Sequence, residues 1–155
     1  PLVYGRSVGG NFEKLLKLVA MSIPLPFAAL NNRRSMVSVE NLVDFISLCV
    51  IHPMISNQTF LVSDGVDIST PSLLSLIAET GGKKNKLFYL PQTLLKIGFF
   101  CIGRPGLYDR LCRSMVVNIE HTRKYSGWSP PIDHRESLKN CWKTIDKNGN
   151  EMEAK

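Results

Sequence analysis

Residues 32–43, Asn32-Arg33-Arg34-Ser35-Met36-Val37-Ser38-Val39-Glu40-Asn41-Leu42-Val43, change period part-way through. Ser35 to Val39 reads as a short alternating strand. From Ser38 the apolar spacing becomes helical, and Ser38 is placed to cap a helix running to about Ile51. A strand that feeds a helix points to an α/β fold. Leu42, Val43, Ile46, Cys49 and Val50 form the expected buried face of that helix. The pleat that buries Met36 or Val37 also sets the face taken by Arg34. A guanidinium held at a strand mouth suits bidentate capture of a phosphate or carboxylate, although Arg33 and Arg34 equally fit as caps of an exposed strand end.

Upstream, Pro1-Leu2-Val3-Tyr4-Gly5 reads as the end of a buried strand, with no initiator Met and no signal-peptide pattern. The expectation is a C-terminal portion of a longer polypeptide, with apolar surface exposed around Leu2, Val3 and Val37 and self-association unless a homodimer covers it. After a loop from Arg6 to Gly10, Asn11 can cap a helix carrying Phe12, Leu15, Leu16 and Val19. Pro24 and Pro26 end it, and the apolar segment Ile23-Pro24-Leu25-Pro26-Phe27 either covers a core edge or lines a pocket.

Downstream, His52-Pro53 stops the second helix, and Gln58 to Ser63 reads as a strand closed by an Asp64-Gly65 turn. Thr70-Pro71 supplies an N-cap and first-turn proline for a helix ending at Gly81-Gly82. Lys86 to Leu90 is a further expected strand, and Pro91 opens a helix to about Ile102. The stretch from Pro105 to Ser114 is ambiguous. Met115 to Val117 reads as a last short strand, Asn118 as the cap of a brief helix through Tyr125, and 126–131 as a turn that pins Trp128. A final helix from His134 to about Ile145 precedes a polar tail, 146–155, expected to be disordered.

The chain has 155 residues, of which 44% are hydrophobic and 21% charged, an ordinary balance for one domain or a large part of one. Its longest apolar run, Ile97 to Ile102, has six residues, against the ~20 needed to cross a bilayer. The net charge of +6 favours anionic partners without selecting among them. Lys83-Lys84-Lys86 and Arg123-Lys124 are separate clusters without interleaved aromatics, which argues against a nucleic-acid surface. Cys49, Cys101, Cys112 and Cys141 lack paired spacing and read as reduced structural thiols suited to the cytoplasm. Neither they nor His52, His121 and His134 show metal-ligand spacing.

Gly5-Arg6-Ser7-Val8-Gly9-Gly10 lacks the spacing of a dinucleotide-binding turn and, on this reading, its adjoining strand-helix architecture; the phosphate-loop pattern is absent too. No local nucleophile-base pair stands out, and Tyr4, the one candidate near a crevice, reads mainly as structural. Should Asn11, Arg34 and the proline-rich loop converge, they would form a pocket for a flat ring and a phosphate, with the start of the helix at Asn11 offering free amides.

In order along the chain, Pro-Leu-Val-Tyr-Gly (1–5), Gly-Asn-Phe opening a helix (10–12), Pro-Leu-Pro (24–26), Arg-Ser-Met-Val-Ser-Val-Glu-Asn-Leu-Val (34–43), Thr-Phe-Leu-Val-Ser-Asp-Gly (59–65) and Ser-Gly-Trp-Ser-Pro (126–130) carry a resemblance. The chain resembles, over roughly residues 1–145, the C-terminal half of the NAD-dependent nucleotide-sugar epimerases and dehydratases. These are extended short-chain dehydrogenases/reductases typified by UDP-glucose 4-epimerase.

The resemblance implies an α/β lobe with short strands among helices, 1–145, that binds a nucleoside-diphosphate-sugar such as a UDP-sugar. It implies that NAD and the catalytic Tyr-x-x-x-Lys belong to an N-terminal Rossmann half. By the same resemblance Asn11 stands beside the diphosphate, Leu25 and Phe27 flank the uracil, and Arg34 pairs with the diphosphate. A further arginine falls among Arg104, Arg110 and Arg113. Arg104-Pro105-Gly106 looks like the usual Arg-Pro-Gly-Asp, but counting back from Met115-Val116-Val117-Asn118 favours Arg110.

Leu2 stands where many relatives have Asn, which leaves the sugar specificity open. Without the Gly-rich turn and the Tyr-x-x-x-Lys, no hydride is stored and no hydroxyl deprotonated, so this chain alone is expected to be inactive. A nucleotide-sugar dehydrogenase or reductase of the same family and a non-catalytic α/β interaction module are the rival readings.

Overall fold

A computed structural model describes residues 1–6, 9–52, 55 and 57–143. Ser7 and Val8 of the first loop, Pro53, the end of the expected last helix and the whole expected tail at 146–155 lie outside the described residues.

The chain opens with β1 (Leu2–Tyr4), crosses over through α1 (Asn11–Ala20) and returns in β2 (Arg34–Ser38), which pairs parallel to β1 with Leu2 beside Met36 and Tyr4 beside Ser38. This crossover corrects the expectation that the Gly5 to Gly10 stretch lacks a strand before it and a helix after it; only the glycine spacing departs from a dinucleotide turn. A third strand, β3 (Asp67–Ile68), pairs antiparallel with β2, giving the order β1-β2-β3.

Ser38 ends β2 and caps α2 (Val39–Ile51), its Oγ accepting from the Asn41 N–H at 3.1 Å. The expected inner face of α2 is not the observed one. Asn41 and Phe45 are buried, whereas Val43, Ile46 and Val50 are exposed. Glu40, Asp44 and Ser47 share one side of the helix, but the buried face lies beside that side at Asn41 and Phe45 and not opposite it; the contact is chosen by Phe45, whose ring meets Phe60 and Trp128 edge-on. Trp128 is pinned there by its indole N–H donating to Asp44 at 2.7 Å.

Three expected strands contract. Residues 58–63 form no ladder: Asp64 N–H donates to the Met36 carbonyl at 2.8 Å, while the Leu61 carbonyl is taken by the Thr122 hydroxyl at 2.6 Å. The 86–90 stretch is one bridge, Leu25 to Leu87, because Pro24 and Pro26 flank Leu25 and have no N–H with which to extend it. The 115–117 stretch bridges Arg34 through Met115 and stops because the Val117 N–H donates to Ser35 Oγ at 2.8 Å instead of to main chain.

Helix α3 (Thr70–Thr80) is capped by Ser69, not by Thr70, whose hydroxyl donates to the Leu111 carbonyl at 2.6 Å. Gly81 follows it where an added Cβ would meet the Trp142 ring at 2.2 Å. Then come α4 (Gln92–Cys101) and α5 (Pro105–Cys112), which resolves the ambiguous stretch as a helix. Asn118 does not cap α6 (Glu120–Ser126) directly: Ile119 holds that place, and Asn118 Oδ1 accepts from the Glu120 N–H at 2.7 Å. Asp133 caps α7 (His134–Trp142), accepting from the Glu136 N–H at 2.8 Å.

The core joins Tyr4 and Met36 of the sheet to Phe12, Leu15, Leu16 and Val19 of α1, with Leu74 and Ile77 of α3 and Leu138 of α7 behind them. The apolar exposure expected at Leu2, Val3 and Val37 is not found, since Val37 is fully buried and Leu2 and Val3 half-buried. It lies on α2 and α4 instead. Among the described residues no helix is long and apolar enough to cross a membrane.

Candidate functional site

Strand β2 carries polar groups at both ends. At its C-terminal end Asp64 is the hub. Its carboxylate accepts from the Ser38 N–H at 3.0 Å, from Asn41 Nδ2 at 2.7 Å and from the Tyr4 hydroxyl at 2.9 Å, and it faces His134 Nδ1 at 3.1 Å. His134 Nε2 lies 3.1 Å from the Val66 carbonyl. A carbonyl only accepts, so Nε2 donates to it, while Nδ1 stands between the Asp64 carboxylate and the Tyr4 hydroxyl, the latter at 3.0 Å. Burial opposes its charge, but the bonds to Asp64 and the Val66 carbonyl outweigh burial and raise its pKa from 6.5. Burial likewise opposes the Asp64 charge, and the donors from His134, Asn41, Ser38 and Tyr4 outweigh it and hold its pKa below 3.8. Burial, then Asp64, raises the Tyr4 pKa from 10.0. Tyr4 is therefore a fully buried structural donor and no acid-base candidate.

At the N-terminal end Arg34 enters a cavity of ≈ 70 Å³ that Asn11, Thr70 and Arg110 also line. Nη1 of Arg34 donates to the Arg110 carbonyl and, at 3.2 Å, to the Arg113 carbonyl, closing the end of α5. Its Nε and Nη2 donate to nothing among the described residues. Burial lowers the Arg34 pKa from 12.5. Burial, with Asp109 next, pushes the nearby Cys112 thiol up to about 11, so it brings no competing anion at neutral pH.

Asn11 is not the cap it reads as in the sequence. Gly10 takes that place with a φ of 89°, and Asn11 becomes the first residue of α1, its side chain bonded to nothing among the described residues. Arg33 turns away to pair with Asp67 at 3.1 Å, which leaves Arg34 as the cavity arginine.

The structure thus brings Asn11, Arg34 and Arg110 together. Leu25 and Phe27 stand elsewhere: both are buried in the core, so the proline-rich loop covers a core edge and does not line this cavity. Of the other two candidate arginines, Arg113 pairs with Asp109 at 3.1 Å and Arg104 precedes α5. Sequence reasoning passes over Asp64, Asn41 and His134. One signal existed, an Asn among Val39, Leu42 and Val43, since a polar residue inside an apolar run needs a buried partner.

No family model matches the chain. A UDP-glucose 4-epimerase from Vibrio cholerae is 40% identical over 139 residues, covering 89% of this chain and 42% of its own length. The matching part is its C-terminal part. The chain is thus similar to the C-terminal part of a nucleotide-sugar epimerase. Solved epimerases share the fold. UDP-glucose 4-epimerase from Thermotoga maritima, solved with UDP-glucose, has a TM-score of 0.66 at 18% identity, over 92% of this chain and 42% of that one. UDP-glucuronic acid 4-epimerase from Bacillus cereus, solved with NAD, has a TM-score of 0.68 at 14% identity, over 95% and 42%. The chain therefore spans 42% of the length of each of these three relatives. Within it, the 2–38 crossover and the arginine-bearing strand form the framework on which the cavity sits.

Proposed function

We propose that the chain is the nucleoside-diphosphate-sugar-binding part of an NAD-dependent nucleotide-sugar epimerase of the UDP-glucose 4-epimerase type. The observation that supports it is the convergence on one cavity of Asn11, Arg34 and Arg110, with two guanidinium nitrogens of Arg34 still unpartnered. A planar fork of this kind matches two phosphate oxygens, and Arg110 adds a second positive charge beside it. The ≈ 70 Å³ cavity is smaller than the ~300 Å³ or more of a complete small-molecule site, so this lobe supplies one wall of a larger pocket.

The residues present do not fit NAD. The turn between β1 and α1 has the wrong glycine spacing, and the chain has no Tyr-x-x-x-Lys, so no redox or proton-transfer step is assigned to it and it is expected to turn nothing over alone. Its contribution is positional: anchoring the unreactive nucleotide holds the sugar where reacting groups outside this chain can reach it.

Calorimetric titration with UDP, UDP-glucose and uridine tests the reading. Binding of both diphosphates, with uridine weaker by about tenfold or more, supports diphosphate anchoring. Equal affinity for uridine, or no binding of any of the three, contradicts it.

A further inference from the structure

The most apolar surface of the molecule is far from saturated. Helix α4 buries Leu95 and half-buries Phe99, whose ring meets Tyr108 of α5 at 6.2 Å. Nearly everything else on it faces solvent: Leu94, Ile97 and Phe100, the last 72% exposed, with Ile102 just beyond its end and Phe88 and Tyr89 just before its start. Between α4 and α5 lies a groove of ≈ 250 Å³ lined by Lys96, Ile97, Phe100, Tyr108 and Asp109. A helix that is apolar all round is normally covered on all sides. This one is covered along a single edge.

Charge indicates what covers the rest. From Lys83 to Arg104 the chain carries five cationic residues and no Asp or Glu. Lys84, Lys86, Lys96 and Arg104 are exposed, and Lys96 lines the groove beside Ile97 and Phe100. The acidic residue of the groove, Asp109, is already paired with Arg113 at 3.1 Å. A second copy docked symmetrically on this face would bring two segments together that each carry cations and no carboxylate between Lys83 and Arg104, an unfavourable charge balance. An anionic surface with an apolar interior suits both features: aliphatic and aromatic side chains enter it, while the lysine stems lie along its boundary with their ammonium groups at the phosphates. At ten residues α4 is only about 15 Å long, so it would lie in the plane of such a surface and could not cross it.

We propose that α4, with the basic segment that leads into it, is a docking surface for an anionic lipid bilayer. Flotation of the chain with vesicles of phosphatidylglycerol and phosphatidylcholine, and with vesicles of phosphatidylcholine alone, tests it. The chain should float with the mixed vesicles and remain behind with the neutral ones, and ~0.5 M salt should weaken the association. Phe100→Glu should weaken it by about tenfold or more, and Lys96→Glu by a few-fold. Both sites are exposed, so the fold is expected to survive, as circular dichroism would verify. Val50→Glu, on the apolar surface of α2, should leave flotation unchanged. The proposal is overturned if the chain ignores anionic vesicles, if neutral vesicles capture it equally, or if Phe100→Glu floats like the parent. It is also overturned if ultracentrifugation without lipid shows a dimer that Phe100→Glu dissociates, because the surface would then belong to a second copy.

Discussion

The two ends of β2 lie four residues apart and differ in one respect, whether their polar groups are used up. At Ser38 the Asp64 carboxylate is saturated: it takes the Ser38 N–H, Asn41, Tyr4 and His134, and His134 Nε2 donates to the Val66 carbonyl. At Arg34 the guanidinium spends one nitrogen on the end of α5 and keeps two, and Asn11 keeps its whole amide. A saturated cluster stabilises a fold, whereas an unsaturated one has capacity left for a ligand. Burial alone would rank the two ends in the opposite order of interest.

The largest expected effect is on the saturated end. Asp64→Ala strands the buried His134 ring and three donors, and should cost about 3–5 kcal/mol of stability, read as a lower urea midpoint. Urea midpoints as a function of pH sharpen the same point. His134 has a raised folded pKa, so its contribution is complete below the unfolded value near 6.5 and is lost as pH rises through the higher folded value. Asp64 has a lowered folded pKa, so its contribution is complete above about 3.8 and is lost as pH falls through the lower folded value. Stability should therefore peak between the two, and His134→Gln should flatten the alkaline decline. A profile flat above pH ~6.5 in the parent chain would contradict the raised His134 pKa.

Mid-strand, Ser35 is buried, donating to Asp67 at 2.6 Å and accepting from the Val117 N–H. Ser35→Ala should cost about 1–3 kcal/mol in the same unfolding measurement. The smallest effect belongs to the open end. Asn11→Ala should leave stability within about 0.5 kcal/mol and weaken UDP binding by about 0.5–1.5 kcal/mol, separable by running denaturation and calorimetry on one preparation.

The framework was legible where local chemistry and tertiary packing agree. The Ser38 cap, the start of α3 near Pro71 and the turn holding Trp128 all stand within a residue of where the sequence puts them. The inner face of α2 was not legible, because its apolar residues spread over more than one side and the distant partners of Asn41 and Phe45, Asp64 and Trp128, decide which side is buried. The short ladders were illegible for a similar reason, since side-chain hydroxyls of Ser35 and Thr122 take the main-chain groups a strand would use. In the candidate site, Arg34 was legible from its place on a strand, whereas Asp64 was not: its neighbour Gly65 reads as a turn, and its four carboxylate partners all come from positions at least 23 residues away.

The most direct test of the central claim, that the open end of β2 anchors a nucleotide diphosphate, is the UDP dissociation constant of the parent chain against Arg34→Ala. The expected result is weaker binding by about ten- to a hundredfold, or ~1.5–3 kcal/mol, with the urea midpoint lowered only by the loss of the α5 end contact. Unchanged UDP affinity in Arg34→Ala would contradict it and leave the arginine as a cap on α5 alone.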